Sequence, residues 1–134
     1  MKILVAYDGS QQATRALDWA GRVSPGSSVT VISVAPALEA SGGIADAIDP
    51  SSDVGAHRGQ LEEAITFLSG SGISAETILK AGNPAEEIII AATDGGFDMI
   101  LVGNHGMGAV RRFLIGSVAD RVVRHATVPV LVVR

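Results

Sequence analysis

The sequence predicts an α/β fold: a single open sheet of five parallel strands with helices on both faces. Short apolar runs rich in β-branched residues alternate with stretches of helical apolar period. Several of these runs lack polar alternation, which is typical of parallel strands that are buried on both sides. The 134 residues are 47% hydrophobic and only 4% aromatic, which suits a sheet packed between helices. We therefore expect one domain, covering residues 1–134.

Five runs are assigned as strands, at residues 3–7, 28–34, 74–79, 99–103 and 128–133. Four helical stretches lie between them, and each carries an apolar stripe with i, i+3, i+4, i+7 spacing. The stripes are Ala13, Ala16, Leu17 and Ala20; Leu61, Ala64, Ile65 and Leu68; Ala85, Ile88, Ile89 and Ala92; and Ala119, Val122, Val123 and Ala126. This alternation of strands and helices implies right-handed crossovers and a doubly wound sheet.

Punctuation residues support this division of the chain. Asn83 and Pro84 form an N-cap followed by a proline at the first helical position, and Glu86 can complete a capping box. Gly95 and Gly96 are expected to end that helix. The segment from Ala35 to Asp53 has no strong period, so we expect a loop that lies over a ligand.

The connection between the fourth strand and the fourth helix has the character of an anion-binding loop. It runs from Gly103 through Gly106 to Gly116 and Ser117, which is longer than most strand-to-helix connections. Glycines let backbone N–H groups approach a ligand closely, and the start of a helix favours an anion. The alternative is a surface loop in which Ser117 only caps the helix, with Asp120 completing a capping box.

The same residues carry a resemblance to a known family. Gly103, Gly106, Gly116 and Ser117 match the pattern G-x2-G-x9-G-S, and the residues at both ends of the chain, 3–10 and 116–133, resemble the same proteins. The chain resembles universal stress proteins of the ATP-binding type. This resemblance implies a flavodoxin-like or Rossmann-like sheet with strand order 3-2-1-4-5. In that order the first and fourth strands flank the crevice where open α/β sheets bind ligands.

The resemblance also implies roles for two residues outside the loop. Asp8 corresponds to an aspartate on the nucleoside side of the ligand, which agrees with the repulsion that a carboxylate would experience beside phosphates. Its alternative role is to cap the first helix or form a turn with Gly9. Val34 corresponds to a position that offers backbone groups and an apolar side chain to adenine; the alternative is an ordinary core valine. The implied ligand is ATP, with Mg²⁺ carried by its phosphates.

The remaining candidate residues favour binding over efficient catalysis. Arg111 and Arg112 could neutralise phosphate charge, but both are interpreted as exposed. His105 could donate to a phosphate but is not a candidate catalyst. His57 and His125 are interpreted as structural or exposed. The sequence has no G-x-x-x-x-G-K-[ST] run and no evident nucleophile and base in the loop. We therefore expect a nucleotide sensor or switch. The alternatives are a slow ATPase or autophosphorylating protein modified at or near Ser117, and a ligand-free dimeric scaffold.

The charge and composition of the chain limit the classes of partner that it can bind. The net charge is −4 and the sequence pI is near 5.2, so a nucleic-acid surface is not expected. The chain has no cysteine. Because only about five apolar residues precede Asp8, we expect no signal segment or membrane span and a cytoplasmic location.

An exposed terminal strand, from Val128 to Val133, would be an unpaired edge. The resemblance implies a homodimer through it. The alternative is a monomer protected by Pro129 and Arg134.

Overall fold

The computed structural model describes residues 1–36, 53–105 and 115–134. The elements, in chain order, are β1 (Lys2–Ala6), α1 (Gln11–Val23), β2 (Ser28–Ala35), α2 (Asp53–Gly70), β3 (Ala75–Ala81), α3 (Pro84–Asp94), β4 (Met99–Gly103), α4 (Ser117–His125) and β5 (Val130–Val133). The five strands form one parallel sheet in the order β3-β2-β1-β4-β5. The expected fold class and strand order are therefore confirmed.

The winding of the sheet reverses beside β1. This strand pairs with β2 on one side and with β4 on the other, so that Val5 lies opposite both Val31 and Leu101. The carboxyl ends of β1 and β4 are consequently neighbours, and the connections that follow them leave in opposite directions. This is the position at which a crevice forms in an open α/β sheet.

Two apolar cores lie on the two faces of the sheet. Successive strand residues point to opposite faces, so Ile3 and Val5 pack with buried residues of α1 and α2, whereas Leu4 and Ala6 pack with those of α3 and α4. The strands of a sheet covered on both faces must be apolar throughout, which explains why the sequence runs lack alternation.

The predicted boundaries of α3 are confirmed. Oδ1 of Asn83 accepts a hydrogen bond from the N–H of Glu86 at 3.1 Å, and Pro84 occupies the first helical position. The helix ends at Asp94, and the N–H of Gly95 donates to the carbonyl of Ala91. Local sequence signals are thus sufficient to start and stop this helix.

The predicted stripe of α4 is wrong at one residue. Val123 is 47% exposed, whereas Val118 is partly buried against the core formed with α3. With 100° between successive helical residues, Val118 and Val123 each lie about 70° from the centre of the face formed by Ala119 and Val122. Packing of α4 against α3 therefore decides which of the two valines is buried. The stripes of α2 and α3 also weaken at Ile65 and Ile89, which are only half-buried.

The strand ends also differ slightly from the prediction. The last strand begins at Val130 rather than Val128, because Pro129 supplies a carbonyl to the N–H of Ile100 but has no N–H of its own. The first strand ends at Ala6, although Tyr7 still donates to the carbonyl of Ile32 at 2.9 Å.

The expected loop between β2 and α2 falls almost entirely at residues 37–52, outside the described part of the chain. It stays a prediction. No helix in the described ranges is long and apolar enough to span a bilayer.

Candidate functional site

A cavity of about 520 Å³ lies at the carboxyl end of the sheet. Its floor is the end of β1, β2 and β4, and each of the four helices contributes to its walls. Five of the six predicted site residues are described, and all five line the cavity: Asp8, Val34, Gly103, Gly116 and Ser117. The sixth, Gly106, lies outside the described residues, as do Arg111 and Arg112.

The turn between β1 and α1 forms one wall of the cavity. Oδ1 of Asp8 accepts a hydrogen bond from the N–H of Ser10 at 2.9 Å, and Oγ of Ser10 accepts from the N–H of Ala13 at 3.1 Å. Ser10, not Asp8, is therefore the N-cap of α1. Asp8 stabilises the turn through one carboxylate oxygen, so the turn role proposed from the sequence is compatible with a place in the cavity wall.

Val34 lies near the end of β2, and its side chain is 8% exposed within the core formed with α3 and α4. The carbonyl of Ile32 accepts from Tyr7, and backbone groups two residues apart in a parallel strand point to the same neighbour. The peptide groups of Val34 are therefore directed to the β1 side, where the pairing of β1 has already ended at Ala6. This position can offer backbone hydrogen bonds to a ligand, as the resemblance implied.

The N-terminus of α4 forms the opposite wall. The N-cap is Gly116, with φ −68° and ψ 161°, and no side chain of the described residues caps the helix. Ser117 is the first helical residue, so the alternative in which Ser117 and Asp120 form a capping box is wrong. The Gly116 N–H donates to the carbonyl of Asn104. Among the described residues, the donors left at this helix end are the N–H groups of Ser117, Val118 and Ala119, and all three residues line the cavity.

The two described loop glycines are required by packing within the chain. A Cβ at Gly103 would lie 2.8 Å from Cβ of Gln12 and 3.1 Å from the backbone nitrogen of Ala13. A Cβ at Gly116 would lie 2.9 Å from Cα of His105. These glycines allow β4 to approach α1 and allow the two ends of the loop to meet, which brings the N-terminus of α4 to the end of the sheet.

Sequence reasoning missed the contribution of α2. His57, for which the sequence indicates a structural or exposed position, lies within α2 and lines the cavity. Its Nδ1 is 2.7 Å from Oγ of Ser33, a residue that is 1% exposed. Gln60, one turn later, also lines the cavity. A histidine and a glutamine in an amphipathic segment give no local signal, because their importance comes from contacts with distant elements.

Several polar atoms around the cavity have no hydrogen-bond partner in the part of the chain that the structure describes. Within the described ranges these include Oε1 of Gln60, Oδ1 of Asn104 and Nδ1 of His105, all of which are buried. Native proteins seldom leave such atoms unpaired. No group of three or more His, Cys, Asp or Glu side chains in the described part of the chain is arranged to hold a metal ion.

Comparison with known proteins gives consistent matches. The model of the Universal stress protein family matches residues 1–134. The universal stress protein YxiE of Bacillus subtilis is 39% identical over 74 residues, which is 55% of this chain and 50% of that protein. The chain thus spans about half the length of this and another curated relative that it matches. A universal stress protein of Thermus aquaticus is 34% identical over 137 residues, covering 98% of this chain and 97% of that protein.

One similar protein has been solved with a nucleotide bound. The structure of the universal stress protein from Archaeoglobus fulgidus in complex with dAMP is 25% identical in sequence, with a TM-score of 0.77. The match covers 100% of this chain and 98% of that one. The similarity therefore extends over the strands and helices that form the cavity.

Proposed function

The chain belongs to the universal stress protein family, and from this premise we propose that residues 1–134 form a nucleotide-binding domain that holds ATP with Mg²⁺. The domain acts in the cytoplasm as a sensor or switch whose state depends on nucleotide occupancy. The bound dAMP of the similar Archaeoglobus fulgidus protein supports an adenine nucleotide as the ligand.

One observation carries this proposal. The N-terminus of α4 opens into the cavity without a side-chain cap from any described residue, and Ser117, Val118 and Ala119 line the wall there. The unpaired N–H groups and the positive end of the helix dipole favour a negatively charged group. Phosphate is the group on a nucleotide that satisfies several such donors at once.

The charge distribution in the cavity determines which end of the nucleotide lies at which wall. Asp8 is the one carboxylate among the described residues that line the cavity, and a carboxylate repels phosphate at short range. The phosphates therefore lie at Gly103, Gly116 and Ser117, together with Gly106 of the family pattern. The nucleoside lies at Asp8 and Val34. The carboxylate of Asp8 can accept hydrogen bonds from it, and the backbone groups of Val34 can both donate and accept them.

The polar groups of the cavity fit a magnesium ion that is bound by the phosphates of the nucleotide better than one that is bound mainly by protein side chains. Mg²⁺ keeps much of its water and commonly binds through substrate phosphates with one or two carboxylates. The described residues supply helix N–H groups for phosphate and a single carboxylate in the cavity wall. When bound, the ion would neutralise part of the charge of the phosphates.

The described cavity favours binding of the nucleotide over its hydrolysis or the transfer of its phosphate. The Ser33 hydroxyl is bonded to His57, a pairing that can activate a nucleophile, but Ser33 is 1% exposed and does not line the cavity. Ser117 lines the cavity, and within the described ranges no hydrogen bond joins its hydroxyl to a base. The arrangement therefore favours holding the nucleotide.

Replacement of Ser117 by proline tests the helix-end site directly. Proline is well tolerated at the first position of a helix, and Gly116 already has the extended backbone that a residue before proline adopts. Ser117→Pro removes the N–H and the hydroxyl, whereas Ser117→Ala removes only the hydroxyl. We expect Ser117→Pro to bind Mg-ATP about tenfold more weakly than Ser117→Ala, because a hydrogen bond to a charged group contributes about 1.5 kcal/mol or more.

Isothermal titration calorimetry measures both affinities, and the melting temperatures of the ligand-free variants serve as the folding control. Equal affinities for the two variants, with unchanged melting temperatures, would contradict a phosphate site at this helix end. A wild-type protein that does not bind Mg-ATP at millimolar concentration would refute the function as a whole.

A further inference from the structure

The cavity wall formed by α2 contains a glutamine whose side-chain oxygen has no hydrogen-bond partner among the described residues. Gln60 lines the cavity, and its Oε1 is buried without a hydrogen bond among the described residues. A buried acceptor that loses water without gaining a donor is unfavourable, so native proteins rarely keep one without a reason. In the wall of a ligand cavity, such an acceptor indicates a donor that comes from outside the chain.

Two neighbouring elements set the position of Gln60. Gly9 has a φ of +84°, and a Cβ at this residue would lie 3.1 Å from Nε2 of Gln60. The glutamine amide thus lies against the turn between β1 and α1. One helical turn earlier, His57 is bonded to Ser33 of β2 at 2.7 Å. Because residues three apart share a helix face, this bond anchors the face of α2 that carries Gln60.

The surroundings of Gln60 determine the chemistry of its partner. Asp8 precedes Gly9 and lines the same cavity, and its carboxylate accepts hydrogen bonds only. Nε2 is the polar atom of Gln60 nearest Gly9. The terminal torsion of a glutamine is broad, so Oε1 can turn towards the cavity while the side chain stays against this turn. Two acceptors close together suit a ligand group with two donor hydrogens. On a nucleoside, these groups are the ribose 2′,3′-diol and an exocyclic amine of the base.

We propose that Gln60 is a specificity-determining residue that accepts a hydrogen bond from a donor on the nucleoside half of the bound nucleotide. This inference rests on the nucleotide-binding function proposed above and assigns to α2 the discrimination between ligands that carry this donor and ligands that lack it. The helix end of α4 holds any phosphate, whereas Gln60 distinguishes the nucleosides attached to it.

The test compares Gln60→Met with the wild-type protein, since methionine keeps the length of the side chain and removes its polar end. Calorimetry is performed with ATP, 2′-deoxyATP, 3′-deoxyATP and purine riboside triphosphate, in which hydrogen replaces the 6-amino group. We expect the wild-type protein to bind one of these analogues about fivefold more weakly than ATP, as expected for one neutral hydrogen bond. Gln60→Met should bind ATP about fivefold more weakly than wild type and should no longer distinguish ATP from that analogue.

The identity of the discriminated analogue separates the two sources of the donor, ribose hydroxyl or base amine. Glu63→Met is the matched control, because Glu63 is exposed on the same helix and does not line the cavity; it should leave all four affinities unchanged. A second readout comes from the ligand-free protein. Removal of an unpaired buried acceptor should raise the melting temperature of Gln60→Met by about 2–5 °C, whereas a purely structural glutamine would lower it on replacement.

Two outcomes would overturn the role of Gln60 while leaving nucleotide binding intact. In the first, Gln60→Met binds ATP and every analogue as the wild-type protein does. In the second, its affinity for all four ligands falls by the same factor. This result would show that the residue shapes the cavity without discriminating between nucleosides. Failure of the wild-type protein to bind ATP would instead refute the proposed function, and the inference with it.

Discussion

Gly103 illustrates how a residue expected to approach a ligand is constrained first by its neighbours in the chain. The family pattern places a glycine here, and the structure shows a reason that does not require a ligand. A Cβ would meet the side chain and the backbone of Gln12 at 2.8 Å and 3.0 Å, and backbone atoms cannot move aside cheaply. The close approach of β4 to α1 therefore depends on the absence of a side chain.

Gly103→Ala should lower the free energy of unfolding by about 1–3 kcal/mol, the usual cost of overpacking a tightly packed site. Chemical denaturation of the ligand-free protein measures this change. Gly59→Ala is the matched control, because a Cβ at this position of α2 would meet nothing within 4 Å and alanine is the better helix former. Gly59→Ala should be neutral or stabilising; equal stability of Gly103→Ala and wild type would contradict the packing explanation.

At the scale of the elements, the two edges of the sheet differ in chemistry. The edge strand β3 carries Glu76 and Lys80, whereas β5 contains only valine and leucine. Charged residues on an edge strand discourage pairing with another chain, and an apolar edge invites it. We therefore expect the homodimer, which the family resemblance implies, to form through β5.

Replacement of Val132 by proline tests this expectation. The N–H of Ile100 donates to the carbonyl of Pro129, and that of Asn104 donates to the carbonyl of Val133. Alternation along the strand then directs the peptide groups of Val132 away from β4. Val132→Pro thus removes an outward N–H and leaves the pairing with β4 in place.

Light scattering coupled to size-exclusion chromatography should show a dimeric wild type and a monomeric Val132→Pro. Thr77→Pro, the same change on the opposite edge, should remain dimeric. A Val132→Pro variant that stays dimeric, or a wild type that is monomeric at micromolar concentration, would exclude β5 as the interface.

For the whole molecule, most of the architecture was predictable from local patterns. The helix signals around Asn83 and Gly95 depend on neighbours in sequence, and the parallel strands are identified by continuous apolar runs. The strand order came from the family resemblance, because one sequence contains no direct information about which strands pair.

The predictions that failed or were missing involve contacts between distant segments. Val123 follows the helical period of its neighbours, but which side of α4 faces the core is decided by packing against α3. Gln60 contacts the turn at Gly9, and His57 contacts Ser33, so their place in the cavity depends on how α2 lies across the sheet. No property of the residues beside them in sequence reports this arrangement.

The central claim is that backbone N–H groups at the start of α4 bind the phosphates of a nucleotide. Its most direct test is a titration of ¹⁵N-labelled protein with Mg-ATP, in which NMR follows the backbone amides of Ser117, Val118 and Ala119. We predict that these three resonances shift with a common saturation curve, together with those of the turn at Asp8. If the nucleotide saturates the protein while the three amides keep their positions, the helix-end site does not exist.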